Sequence, residues 1–110
     1  MKRIESFQQW LEEIEKNQKL LLFVETDHCS VCHGLLPQVE VLQKDYTTLP
    51  FFIVNAAQVP EMAGQLSLFS APVVLLYANA SEYARFARFV PMDDLKHRLN
   101  LLTSGASSSD

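Results

Sequence analysis

Three runs of almost continuous apolar residues divide the chain and predict buried β-strands, because a strand covered on both faces has no polar side to alternate with. The runs cover Lys19–Glu25, 51–54 and 73–77. A fourth segment, residues 82–90, alternates in part, with Tyr83 and Phe86 between polar residues. We expect it to pair with the third run as a hairpin that turns at Asn79 and Ala80.

Apolar residues spaced by three or four positions predict helices between and around these strands. The predicted helices span residues 4–15, 30–46 and 59–66, followed by a closing helix that starts at Asp93 and Asp94 and carries Leu95, Leu99 and Leu102. Ser6 and Gln9 resemble a capping box, with the alternative that Ser6 lies inside the helix, and Asn17 is expected to end this helix. Pro37 interrupts the second helix. No strand is predicted before the first helix.

The predicted order is α-β-α-β-α-β-β-α, which fits one α/β domain. We expect a mixed sheet with right-handed parallel crossovers, helices on both faces and an antiparallel hairpin at its end. The domain should cover residues 1–103 of the 110, and the Ser-rich residues 104–110 are predicted to form a disordered tail.

Charge and hydropathy exclude several classes of protein. The net charge is −4 without a basic block, which argues against nucleic acid as a partner. No apolar run approaches the ~20 residues of a membrane span, so no membrane partner is expected. Lys2 and Arg3 are followed by Glu5, Gln8 and other polar residues rather than by the apolar core of a signal peptide. The sequence therefore predicts a cytoplasmic protein.

Cys29 and Cys32, the only cysteines, stand where a predicted strand ends and a predicted helix begins. Free N–H groups and the dipole at a helix N-terminus favour a thiolate, which is the nucleophilic form of cysteine. A second thiol three residues later lies one turn away on the same face. It can close a disulfide with the first thiol or attack a mixed disulfide that the first has formed. In a reducing compartment such a pair is typically catalytic or metal-binding.

Other interpretations of the pair stay open at this point. Cys29, Cys32, His28 and His33 offer four zinc-type ligands, but they lie within six consecutive residues, whereas structural zinc sites draw on two separated segments. We therefore expect no metal. Residues 29–33 also match the c-type haem attachment motif, which normally goes with export. The two cysteines could also be packed simply as small apolar groups.

Three features in order give the chain a family resemblance. These are Cys29-Ser30-Val31-Cys32 at a strand-to-helix junction, Pro37 five residues after the second cysteine, and Ala71-Pro72 at the start of a strand. Over roughly residues 3–103 the chain resembles the thioredoxin family, which kinks its active-site helix at a proline and places a cis-proline beside the dithiol. The resemblance implies a thioredoxin-like fold, a cis Ala71-Pro72 bond close to Cys29, and no cofactor.

The chain departs from the family pattern at several site positions. Ser-Val replaces Gly-Pro between the cysteines, and His28 stands where the family usually has Trp. Phe23 occupies the position of the family's buried acid, and Val73 replaces a frequent Thr. Glu25 is either a solvated strand-end charge or a proton acceptor for Cys32. His28 and His33 are either surface residues or tune the pKa of the Cys29 thiol.

The resemblance implies a thiol–disulfide oxidoreductase. Cys29 would attack a substrate disulfide and Cys32 would resolve the mixed disulfide, while Pro72, Ala71 and His28 would shape the substrate groove. The implied partners are disulfide-containing proteins and a thiol reductant or thioredoxin reductase. The alternative is a non-enzymatic interaction protein that binds its partners through the same groove.

Overall fold

The computed structural model describes residues 1–104, which form nine elements around a five-stranded sheet. They are β1 (Lys2–Ile4), α1 (Phe7–Lys16), β2 (Lys19–Glu25), α2 (Ser30–Gln43), β3 (Phe51–Asn55), α3 (Pro60–Gln65), β4 (Val73–Ala78), β5 (Ser81–Ala87) and α4 (Met92–Thr103). The strand order is β1-β3-β2-β4-β5; β1, β3 and β2 run parallel, and β4 and β5 are antiparallel to their neighbours. This confirms the predicted mixed sheet. Apart from Ser104, which follows α4, the predicted tail lies outside the described residues.

Two cores, one on each face of the sheet, explain why the middle strands are apolar throughout. The α2/α4 core contains Leu21, Phe23, Cys32, Leu35, Val39, Leu42, Leu49, Phe51, Ile53, Val74, Leu76, Val90, Leu95, Leu99 and Leu102. The α1/α3 core contains Ile4, Trp10, Leu20, Leu22, Val24, Phe52, Val54, Val59, Met62, Leu68, Val73, Leu75 and Tyr77. Because alternate residues of β2 enter opposite cores, a polar residue in the strand would be buried on either face. Helices therefore cover both faces, as predicted.

The start of the chain differs from its prediction. The prediction that no strand precedes the first helix was wrong. Lys2–Ile4 pairs with β3 as an edge strand in which only Ile4 is buried. The helix begins at Phe7 rather than at residue 4, because Ser6 caps it with extended backbone. Its Oγ accepts the N–H of Gln9 at 3.1 Å. Gln9 Oε1 in turn accepts the backbone N–H of Glu5, at 2.7 Å.

Helix α2 and strand β5 both end earlier in the chain than predicted. Helix α2 ends at Gln43 rather than at residue 46, because the last N–H groups bond three residues back, as Tyr46 does to Gln43. Strand β5 ends at Ala87 rather than at residue 90, because Arg88 has a left-handed φ of 68° and leaves the extended conformation. No helix within residues 1–104 has the length and apolar character needed to cross a membrane.

Candidate redox site

The two cysteines are joined by a disulfide bond at the first turn of α2, with their Cα atoms 5.3 Å apart. Cys29 is the N-cap of the helix, and its Sγ accepts the backbone N–H of Cys32 at 3.1 Å. Cys29 is partly exposed, whereas Cys32 is 1% exposed and belongs to the α2/α4 core. The helix start therefore presents one sulfur to solvent and buries the other.

The sheet beneath the dithiol is apolar. Phe23 is fully buried in the same core as Cys32. Its neighbours across the sheet are Ile53 on β3 and Val74 on β4. At this position the chain carries an aromatic ring with apolar partners on both sides, so it places neither an acid nor a cation there.

The Ala71-Pro72 peptide bond is cis, as the resemblance implied. Pro72 is buried, and Ala71 packs against the α2/α4 core, as Cys29 does. The Pro72 carbonyl accepts the backbone N–H of Arg88 at 2.8 Å, which fastens this loop to the segment after β5. The chain thus packs Ala71, the residue before the cis-proline, against the core that holds the cysteines.

Glu25 ends β2, and its carboxylate lies 3.1 Å from the guanidinium of Arg3 on β1. Its side chain is 15% exposed, so it is an ion-paired group rather than a freely solvated charge. A role as proton acceptor for Cys32 stays a prediction. Sequence reasoning missed Arg3 because β1 itself was missed, and no local pattern links residues 3 and 25.

His28 and His33 flank the cysteines and are both exposed. His28 adopts a left-handed backbone conformation, with φ 59°, in the turn before Cys29. The backbone N–H of His33 bonds the carbonyl of Cys29 at 3.3 Å. An influence of either imidazole on the thiolate stays a prediction. Within residues 1–104, no group of three or more His, Cys, Asp and Glu side chains is arranged to hold a metal ion.

A buried amide next to the site also escaped prediction. Asn55 ends β3, and its Nδ2 donates to Oδ1 of Asp27 at 2.9 Å. Asp27 lies in the turn that precedes Cys29. The signal in the sequence was a polar residue that closes an otherwise apolar strand, at the sheet end where the neighbouring strand leads into the cysteines.

An apolar groove adjoins the dithiol. Val31, between the cysteines, is 60% exposed, and Phe89, after β5, is 77% exposed. They border a surface groove of about 340 Å³, here called the Val31/Phe89 groove, whose lining consists of Val31, Gly34, Leu35, Gln38, Arg88, Phe89 and Val90. Large apolar side chains exposed next to one another typically mark an interaction surface.

Comparison with known proteins agrees with this geometry. The thioredoxin family model matches residues 2–100. A thioredoxin-like protein of Bacillus subtilis (strain 168), YdfQ, is 33% identical over 86 residues, which are 78% of this chain and 77% of that protein.

Solved structures share the fold at lower identity. Plasmodium falciparum thioredoxin superposes with a TM-score of 0.84 at 22% identity, covering 91% of this chain and 97% of that one. Chlamydomonas reinhardtii thioredoxin f2 gives a TM-score of 0.83 at 22% identity, covering 97% and 98%. With a family match over most of its length and a Cys-X-X-Cys pair at the start of α2, the chain belongs to the thioredoxin family and is a thiol–disulfide oxidoreductase.

Proposed function

We propose that the protein reduces or exchanges disulfides in protein substrates, with Cys29 as the nucleophile and Cys32 as the resolving thiol. The observation that carries this assignment is the difference between the two sulfurs. Cys29 is the accessible one, and it receives the Cys32 N–H at the helix N-terminus. A donor aimed at the sulfur stabilises its thiolate, and the thiolate is the attacking form.

The reaction transfers two electrons from the dithiol to the substrate. The Cys29 thiolate attacks one sulfur of the substrate disulfide, forming a mixed disulfide and releasing the other substrate sulfur as a thiolate. Cys32 loses its proton and attacks Sγ of Cys29, which releases the second substrate sulfur and leaves Cys29 and Cys32 oxidised. Because Cys32 is held beside Cys29, proximity compensates for its burial. A thiol reductant or a thioredoxin reductase would return the pair to the dithiol.

Two surfaces near the cysteines support a polypeptide as the substrate. The Val31/Phe89 groove offers apolar area on one side of the dithiol. The loop that carries Ala71 and Pro72 packs against the α2/α4 core, to which Cys32 belongs. We assign this loop, together with His28, to the substrate groove.

We also propose that the protein works in the cytoplasm, because its only two cysteines form the reactive pair and a reducing environment would keep them as a dithiol.

Trapping of covalent intermediates tests the proposal. In Cys32→Ser the mixed disulfide has no intramolecular exit, so this variant should accumulate dithiothreitol-sensitive adducts when it is incubated with an oxidised protein such as insulin. Cys29→Ser is the matched control and should accumulate few. Non-reducing gels and mass spectrometry read the result. Equal trapping, or trapping through Cys32 alone, would show that the roles are reversed. No trapping by either variant would favour a non-enzymatic binding protein.

A further inference from the structure

The side chain of Asn55 joins two turns at the end of the sheet that carries the cysteines. It is 8% exposed, and within residues 1–104 only Glu13 is also polar and buried. Its Nδ2 donates to Oδ1 of Asp27 at 2.9 Å, and its Oδ1 accepts the N–H of Ala57 at 2.9 Å. A buried amide with both ends bonded is costly to disturb, because a lost partner leaves a polar atom unpaired away from water.

The backbone pairing of β2 and β3 stops where this side-chain bond begins. Glu25 pairs with Asn55, and the N–H of Ala56 bonds the Glu25 carbonyl at 2.8 Å. Beyond that point the chain turns through residues 26–28 to reach Cys29. His28 occupies the left-handed region, which a residue with a Cβ adopts at a cost. The bond from Asn55 to Asp27 connects the end of β3 to this turn.

We propose that Asn55 is a positioning residue for the dithiol: through Asp27 it fixes the turn at residues 26–28 and so keeps Cys29 at the N-cap of α2. Loss of this bond would disfavour the Cys29 thiolate in two ways. The Cys29 sulfur would lose its fixed place on the Cys32 N–H, and the Asp27 carboxylate, two residues away along the chain, would be free to approach the thiolate. Both changes disfavour negative charge on Cys29.

The substitutions used below leave the other charged or titratable residues of this region unchanged. Glu25 is paired with Arg3, His28 and His33 flank the cysteines along the chain, and Arg88 lines the Val31/Phe89 groove. All five remain in every variant below, so a change in Cys29 reactivity is not due to their loss.

The test is the pH dependence of Cys29 alkylation in the reduced protein, with iodoacetamide as the probe and peptide mass spectrometry as the readout. In Asn55→Ala we expect the midpoint to rise by about one pH unit, which is about a tenfold lower rate below the midpoint. In an Asp27→Ala background, Asn55→Ala should shift nothing further, because the bond is already absent.

Asn17→Ala is the matched control. Asn17, like Asn55, makes two side-chain hydrogen bonds: its Nδ2 donates to the Glu13 carbonyl at 2.9 Å and to Glu13 Oε1 at 3.2 Å. Asn17 precedes β2, whereas the turn at residues 26–28 follows that strand. Because a seven-residue strand spans about 20 Å, Asn17 lies at the opposite end of β2 from this turn. We expect Asn17→Ala to lower the melting temperature and to leave the Cys29 midpoint unchanged.

A second pair of variants covers the case in which Asn55→Ala does not fold. Asp27 is exposed; Asp27→Asn keeps an oxygen that can accept the bond, and Asp27→Ala does not, while both remove the charge. The midpoint should be higher in Asp27→Ala than in Asp27→Asn. An unchanged midpoint in Asn55→Ala, an equal shift in the Asp27→Ala background, an equal shift in Asn17→Ala, or identical Asp27 variants would each overturn the proposal.

The inference rests on the proposed role of Cys29 as nucleophile, yet the two can fail separately. Alkylation reports the state of the Cys29 thiol whether or not a protein substrate is reduced. A shifted midpoint without trapped adducts would refute the proposed function and leave the positioning role. Trapped adducts with an unshifted midpoint would refute the positioning role alone.

Discussion

A carboxyl group introduced at position 23 would report how well the core beneath the dithiol excludes water and charge. Phe23 is fully buried, and its neighbours across the sheet, Ile53 and Val74, offer no charge to pair with. In Phe23→Asp we therefore expect the folded protein to keep the carboxyl protonated well above pH 4, because burial disfavours the ionised form. Phe23→Asn is the control, since it has the same shape and cannot ionise.

The size of the effect follows from the burial. Loss of the ring should cost both variants about 3 to 5 kcal/mol. If burial raises the Asp pKa by about 2 to 3 units, the Asp variant is less stable than the Asn variant by about 3 to 4 kcal/mol at pH 7. The pKa is higher in the folded than in the unfolded state, so the two variants should match below about pH 4. The deficit should then grow with pH until the pKa of the folded state is passed.

Denaturant unfolding of both reduced variants from pH 4 to 8 measures this difference, with sodium sulfate added to keep them folded. A difference that stays below about 1 kcal/mol at every pH would refute the reasoning, because it would mean that water or a cation reaches position 23. Since Phe23 and Cys32 share a core, the ionised Asp should also accept the Cys32 proton. Mixed disulfides should then resolve faster in Phe23→Asp than in Phe23→Asn at pH 8, as rapid-quench alkylation would record.

Two further predictions concern stability. A hydrogen bond from Lys2 lowers the pKa of Glu13, so this carboxylate stabilises the fold above its unfolded pKa and the benefit is lost as the pH falls through its folded value. Glu13→Gln should cost about 0.5 to 1 kcal/mol at pH 7, because Lys2 is largely exposed, and progressively less as the pH falls below the unfolded pKa, as denaturant curves at pH 7 and at acid pH would show. Ala80 turns the β4–β5 hairpin with φ 66°, so Ala80→Gly should raise stability by about 0.5 to 1 kcal/mol. An unchanged or lower melting temperature would contradict this.

The sequence predicted best those elements whose position is set by a single physical requirement. Strand β2 was predicted with its observed bounds, because a strand buried on both faces needs an unbroken apolar run. Strand β1 was missed for the opposite reason. Lys2 and Arg3 are exposed on an edge strand, and only the pairing with β3 defines them as a strand.

The same distinction applies to the site. The cysteines and Pro72 are visible in the sequence because their spacing and order carry chemistry. The pairs Arg3–Glu25 and Asn55–Asp27 join residues 22 and 28 positions apart, and they form only because the sheet places β1, β3 and the end of β2 side by side. No local pattern encodes such contacts, which depend on the register of the finished sheet.

The burial of Cys32 ties the redox state of the protein to its folding through a closed thermodynamic cycle. The same dithiol can be oxidised in the folded chain or in the unfolded chain, where neither sulfur has a core or an N–H donor in place. The difference in folding free energy between the oxidised and reduced forms must therefore equal the difference in oxidation free energy between the folded and unfolded chains. For a two-electron couple, about 30 mV corresponds to 1.4 kcal/mol. Unfolding curves of the oxidised and reduced forms thus reveal how far the fold makes this dithiol a stronger or weaker reductant than its own unfolded sequence.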